Sequence, residues 1–195
     1  MARDAISLPD PDRRGQQTLE RTLDRRWSCR TFTREPLTLV QIGQLLWAAQ
    51  GVNSRGRRTA PSAGALYPLE VYAVLPEGVA HYEVLNHRLE LLQRRDVRQE
   101  LALAALGQDF IAVAPLSVVL CAVFKRVTAR YGKARGERYV LIEIGHAAQN
   151  VLLQAEALGL GSVPVGAFAD AEVHRLLGLP PDHVPLYLLP IGYPA

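Results

Sequence analysis

Cysteine is scarce in this sequence, and an apolar leader is missing. Two cysteines, Cys29 and Cys121, occur in 195 residues, too few and too far apart for a disulfide framework or a zinc site. The opening Met-Ala-Arg-Asp has no apolar core, so no secretory signal is expected there. Internal repeats are absent. Excess charge is small, +3 overall, with arginines gathered in two short groups rather than the broad basic stripe a nucleic-acid duplex requires. One long apolar stretch, 139–160, is broken by Glu143, His146, Gln149, Asn150, Gln154 and Glu156, which excludes a bilayer span. The expectation is a cytoplasmic protein with neither a membrane nor a nucleic-acid partner.

What is present is an ordinary globular balance, 49% hydrophobic and 21% charged. A chain of this length buries roughly 70% of the surface that its unfolded form exposes. Residues 1–17, rich in Pro, Asp, Arg and Gln, read as a flexible N-terminal arm, and 18–195 as a single domain. Leu19 and Leu23 mark a short helix over 18–26. A second helix is expected from Thr38 to Gln50, with Thr38 as N-cap, Gln41 three residues later, and Gly51 at its end. Strands are expected at 69–75, 80–85, 88–92, 116–124 and 184–191, with an extended piece over 162–168. Helices are expected over 95–106 and 170–178, the latter capped by Asp170. Residues 52–64 and 126–136 read as loops. The longest element, 137–158, is apolar almost all round and closed by Gly159 and Gly161, so it is expected at the core and at a dimer interface. Helices first, then mixed strands and helices, give an α+β class.

Two segments carry candidate chemistry. Arg25, Arg26 and Arg30 surround Ser28 where a helix gives way to loop. Guanidinium forks bind phosphate oxygens bidentately, at roughly 1.5–3 kcal/mol per charge-assisted bond; a solvated basic surface is the plain alternative. Pro61, Ser62, Ala63 and Gly64 form a small-residue turn whose backbone N–H groups can approach a ligand. Two other motifs fail. The glycines at 159, 161 and 166 follow a helix, whereas a dinucleotide fingerprint follows a strand. Glu143 and His146 have the Glu-x-x-His spacing of a di-iron bundle but no second copy, so His146 is expected as a hydrogen-bonded core histidine. His81 and His87 receive no assignment.

In order and spacing, several stretches resemble the nitroreductase family over residues 20–193. They are Arg26-x-Ser28-x-Arg30-x-Phe32, Pro36-Leu37-Thr38, Leu45 to Gly51, Thr59 to Glu70, Gly107-Gln108 before Ala114-Pro115, Gly145 to Asn150, and Ala157 to Phe168. The nearest branch is the SagB-type azoline (thiazole-oxazole) dehydrogenases. The resemblance implies a nitroreductase-like fold, a central mixed and mostly antiparallel sheet flanked by helices, in a homodimer with FMN at its interface. It implies that Arg26, Ser28 and Arg30 hold the phosphate, ribityl chain and pyrimidine edge. Pro61, Ser62, Ala63 and Gly64 would approach the same flavin from the other subunit. Gln108 would bond the pyrimidine side of the ring, and Gly166 and Ala167 would offer backbone N–H groups near N5. NAD(P)H is the implied electron donor, and a nitroaromatic or quinone-like small molecule the implied acceptor, in ping-pong turnover.

Three positions depart from the family pattern. Trp27 replaces a second basic residue, and the last four residues carry no Lys or Arg, with Arg57 or Arg58 as a possible replacement. The Lys-Tyr pair of the azoline branch is matched by Arg130-Tyr131; arginine cannot act as a base near neutral pH, while Tyr131 can donate a proton. The alternatives are therefore an FMN-dependent dehydrogenase of a peptide azoline or other small substrate, and a non-catalytic flavin- or nucleotide-binding protein.

Overall fold

Alternation with a period of two sorts each central strand between two cores. In the computed structural model, which describes residues 4–195, strand β2 (Leu69–Leu75) sends Leu69, Val71 and Ala73 to one side and Tyr72 and Val74 to the other. Strand β5 (Leu116–Ala122), buried throughout, does the same: Val118 and Leu120 face one core and Val119 and Cys121 the other. The remaining strands are β1 (Ala5–Ser7), β3 (Gly78–Glu83), β4 (Arg88–Gln93), β6 (Gly161–Ser162) and β7 (Val184–Gly192). They form one sheet in the order β1-β4-β3-β2-β5-β7-β6, and every named pair is antiparallel. The expected parallel component is reduced to an isolated bridge between Ser28 and Ser162.

Helices cover both faces. Helix α1 is Leu19–Arg25, and α2 (Leu39–Gln50) begins with the Thr38/Gln41 capping box read from the sequence. On the same face lie α5 (Lys125–Tyr131) and α6 (Lys133–Ala157), with Ile42, Leu45, Val140, Ala147 and Val151 in one core. Across the sheet, α3 (Arg98–Ala104), α4 (Phe110–Val113) and α7 (Asp170–Leu177) bury Leu101, Ile111, Val173 and Leu177. The result is an α+β domain of three layers.

Several expectations need correction. Residues 126–136 are not a loop: α5 occupies most of them, and Gly132 at φ 75° turns the chain into α6. Charge on one side of α5 hides the buried Val127 that anchors it. Asp170 is the first helical residue of α7 and Ala169 takes the cap position. Helix α1 turns Leu19 and Leu23 outward and buries Thr22. The arm expected over 1–17 is fastened from Ala5 to Asp12. Ala5–Ser7 pairs with β4, Leu8 is buried, His87 Nε2 meets the Pro9 carbonyl at 2.9 Å, and Asp12 N–H donates to Gln44 at 2.8 Å. Residues 1–3 lie outside the described part.

Helix α6 stops where the sequence indicated. Gly159 takes φ 72°, and the Leu160 N–H returns to the Ala155 carbonyl at 2.9 Å, satisfying an open helix end. The helix is not covered all round. Arg138, Leu141, Ile142, Gly145, His146 and Gln149 are exposed along one side. Among the described residues, no helix is long and apolar enough to cross a membrane.

Candidate active site

The basic strip lies against the edge strand β6. Cys29, fully buried, anchors it: its N–H donates to the Ser162 carbonyl at 3.0 Å. Burial of Cys29 leaves its neighbours Ser28 partly buried and Arg30 exposed, and Arg26 is half-buried. Other arginines are neutralised, Arg25 by Glu156 at 3.1 Å and Arg98 by Asp96 at 2.8 Å. Arg26 and Arg30 make no ion pair among the described residues, so both guanidinium groups remain available to an anion.

Beyond β6 the chain is pinned by a mutual bridge between Val165 and Leu188, with N···O distances of 2.8 and 3.0 Å. Gly166 and Ala167 then emerge exposed, and their N–H groups take no partner among the described residues. Gln108 meets this segment: its amide nitrogen donates to Ala167 O at 3.1 Å and to Ala105 O at 2.8 Å. Both amide protons are thereby committed, which leaves Oε1 as a free acceptor. Thus two pairings distant in sequence are made within one chain: Ser28 with Ser162 of β6, and Gln108 with the Gly166–Ala167 segment that follows β6.

The small-residue loop sits elsewhere. Pro61, Ser62 and Ala63 line a cleft of about 260 Å³ with Tyr139, Ile142, Glu143 and His146 of α6. Arg26, Ser28, Arg30, Gln108, Gly166 and Ala167 do not line it. Gly64 takes φ 62°, and a Cβ there would come within 2.7 Å of the Tyr131 hydroxyl. Tyr131, at the end of α5, packs edge-on against Tyr139 with ring centroids 5.1 Å apart. Arg58 is already occupied: its guanidinium donates to the Gln50 carbonyl at 3.2 Å and stands 5.4 Å over the Tyr67 ring. These contacts brace the loop over 52–60, and Arg57 beside it is exposed.

Glu143 is the residue that sequence reasoning passed over. It is 2% exposed, and burial raises its carboxyl to about 7 although a hydrogen bond with Ser62 pulls the other way. Its phase was a usable signal, since it shares the buried stripe of Val140, Ile144 and Ala147. His146 is exposed rather than a core histidine. One turn from Glu143, it falls just past the buried stripe and opens on the cleft.

A second polar group lies beside the loop. Glu70 meets His81 Nε2 at 2.7 Å and Arg126 at 2.5 Å. Burial alone would raise its carboxyl, but the hydrogen bonds and charges of His81 and Arg126 more than offset this and hold it at about 2. Arg126 also donates to the Tyr67 carbonyl at 3.0 Å, tying this ion pair to the start of β2. Because the folded value lies below the ordinary carboxylate value, the stabilisation is complete above about pH 4.5 and lost as pH falls towards about 2. Glu70→Gln is expected to flatten stability across that window. The wild type should lose on the order of 2 kcal/mol more than the variant between pH 5 and pH 2.5, read from urea midpoints.

The antiparallel sheet between two helical layers is the nitroreductase-like fold. The chain belongs to the nitroreductase family, whose profile matches residues 23–193. It is 45% identical over 194 residues to a provisionally named nitroreductase of Methanocaldococcus jannaschii, covering 96% of this chain and 95% of that one. A Bacillus subtilis FMN reductase [NAD(P)H] is 29% identical over 181 residues, covering 86% of this chain and 62% of that enzyme. A solved structure of a provisionally named Ralstonia eutropha nitroreductase superposes with a TM-score of 0.89 at 36% identity, covering 98% and 90% of the two chains. A chain of the Escherichia coli microcin synthetase McbBCD complex superposes at 0.75 with 26% identity, covering 96% and 76%. Membership and these relatives support a flavin oxidoreductase in general terms.

Proposed function

We propose that the protein is an FMN-dependent two-electron oxidoreductase, assembled as a homodimer, that takes electrons from NAD(P)H and passes them to a nitroaromatic or quinone-like acceptor. The observation that carries this reading is the meeting of Gln108 with the exposed Gly166–Ala167 backbone, in a chain that also carries a strip whose Arg26 and Arg30 lack carboxylate partners among the described residues. These residues fit the group. Two free guanidinium groups suit a phosphate, an acceptor oxygen suits a ring N–H, and bare N–H groups suit the edge of a flat ring.

When bound, a flavin supplies reversible hydride chemistry that no side chain here provides. The protein's part is binding and orientation. Arg26 and Arg30 would neutralise the phosphate, and Ser28, whose backbone is held by the bridge to Ser162, would donate its hydroxyl to the same anion or to the chain that follows it. Gln108 Oε1 would accept from the pyrimidine N–H. The free N–H groups of Gly166 and Ala167 would offer a fixed positive potential to the ring. Pro61–Gly64 of the partner subunit would complete the site.

The likeness to the microcin synthetase chain favours a second reading, dehydrogenation of a peptide azoline. Tyr131 has the reach to exchange a proton, since its hydroxyl lies at Gly64. Arg130 cannot serve as the base beside it.

The test is an absorbance spectrum of protein equilibrated with FMN, followed by NADPH without oxygen. The expected result is a bound-flavin band near ~450 nm that bleaches. A band that NADPH leaves intact would favour the dehydrogenase reading, and the absence of bound flavin would end both.

A further inference from the structure

We propose that Glu143 is a proton-linked positioning residue for Ser62, its protonation releasing the Ser62 hydroxyl to donate to a ligand seated over the Pro61–Gly64 loop. This deepens the flavin reading and takes FMN as that ligand.

The geometry begins with an unusual burial. Glu143 is 2% exposed on α6, and its Oε1 has no hydrogen-bond partner. Such an atom costs about 1–3 kcal/mol unless something satisfies it, more when it is charged. The Ser62 Oγ beside it already accepts the Tyr67 N–H at 2.9 Å. A serine hydroxyl has one proton to give. While Glu143 is ionised, that proton is held by the carboxylate. Once Glu143 is protonated, its own O–H can donate to Ser62 Oγ, and the Ser62 proton turns to the ligand. Ligand binding is therefore accompanied by proton uptake.

The surroundings leave this exchange to the pair itself. Tyr139 and His146 flank Glu143 on α6, Arg130 and Tyr131 approach the loop from α5, and Arg58 and Tyr67 stand on the loop's own side. Helix α2 carries no charged side chain, and Tyr187 is the titratable group that β7 packs against this core. Burial acts first on Glu143, raising its carboxyl, and Ser62 acts second, in the opposite direction. The raised value falls where a modest change of pH alters the charge.

The sign follows from linkage. With the free carboxyl titrating at about 7 and held protonated in the complex, FMN affinity should be constant below about pH 6 and fall roughly tenfold between pH 6 and pH 8. Glu143→Gln cannot ionise, and its amide can donate to Ser62 Oγ, so it should keep the low-pH affinity throughout. The flavin phosphate's own titration is common to both proteins and cancels in their ratio.

The experiment measures FMN affinity by fluorescence quenching from pH 5.5 to 8.5 for wild type and Glu143→Gln. In parallel, the Tyr67 amide resonance is followed in flavin-free protein. A ratio that grows tenfold with pH, with a Tyr67 amide that titrates near pH 7 only in the wild type, is the expected result. Identical pH profiles in the two proteins overturn the inference while leaving flavin binding intact. If FMN binds neither protein, the flavin reading fails and the amide titration alone decides the Glu143–Ser62 link. Should Glu143→Gln fold poorly, Ser62→Ala is expected to bind FMN weakly and without the wild-type pH dependence; retention of that dependence is equally fatal.

Discussion

Leu141→Arg is expected to convert a dimer into a monomer and to release bound flavin in the same step. Leu141 is 56% exposed and Ile142 49%, and next to them Gly145 opens onto empty space, with nothing within 4 Å of where a Cβ would stand. Leu19, Leu23 and Trp27 add exposed apolar surface around α1. Exposed apolar surface of this kind is what a second copy of the chain would cover, and the cleft holding Pro61–Ala63 is lined by Ile142 itself. Burying an unpaired guanidinium there, once from each subunit, costs several kcal/mol per charge. The dissociation constant should then rise by roughly three orders of magnitude or more. Leu141 does not line the cleft, so loss of flavin would travel through loss of the partner's loop. Sedimentation velocity read at both protein and flavin wavelengths checks the two together. A wild-type monomer that retains FMN, or an arginine variant that stays dimeric and yellow, would sink the shared-site arrangement.

The legible parts of the sequence were those governed by local rules. The capping box at Thr38 and Gln41, the alternation of 69–75 and the glycine stop after α6 depend on a few adjacent residues, and each was readable in place. The resemblance to the nitroreductase family carried the fold. What stayed hidden was set by tertiary partners. His87 carried no assignment, yet with Tyr82 Oη at 2.7 Å and the Pro9 carbonyl at 2.9 Å it fastens the N-terminal segment. The charge of Lys125–Tyr131 concealed a helix because Val127 alone buries itself. Glu143 looked like half of a metal motif, while its helical phase placed it in the core stripe. At the candidate site the strip and the small-residue loop were each visible as segments. The residues alone did not show that the two segments lie apart in one chain; only the resemblance, which assigned the loop to the other subunit's flavin, implied it.

That separation makes the joint between the strip and β6 the most sensitive backbone position. Gly161→Ala is expected to lower stability and flavin retention together. A Cβ at 161 would stand 2.6 Å from both Cβ and Sγ of Cys29 and 3.2 Å from Pro194, and Cys29 is fully buried with no room to retreat. Overpacking of this kind costs about 1–3 kcal/mol, so the melting temperature should fall by roughly 5–10 °C for a domain of this size. Relief of the clash would push Cys29 away from Ser162, breaking the 3.0 Å bond that holds the strip. Ser28 and Arg30 would then shift relative to Gly166 and Ala167, and the phosphate and ring contacts could not both be made by one flavin. Cys29→Gly in the same chain removes both clashing atoms and should restore part of each loss, a coupling that a double-mutant cycle measures directly. A Gly161→Ala protein that melts and binds FMN like the wild type would show that the joint is compliant. A variant that loses stability but keeps full flavin affinity would detach the strip from the site.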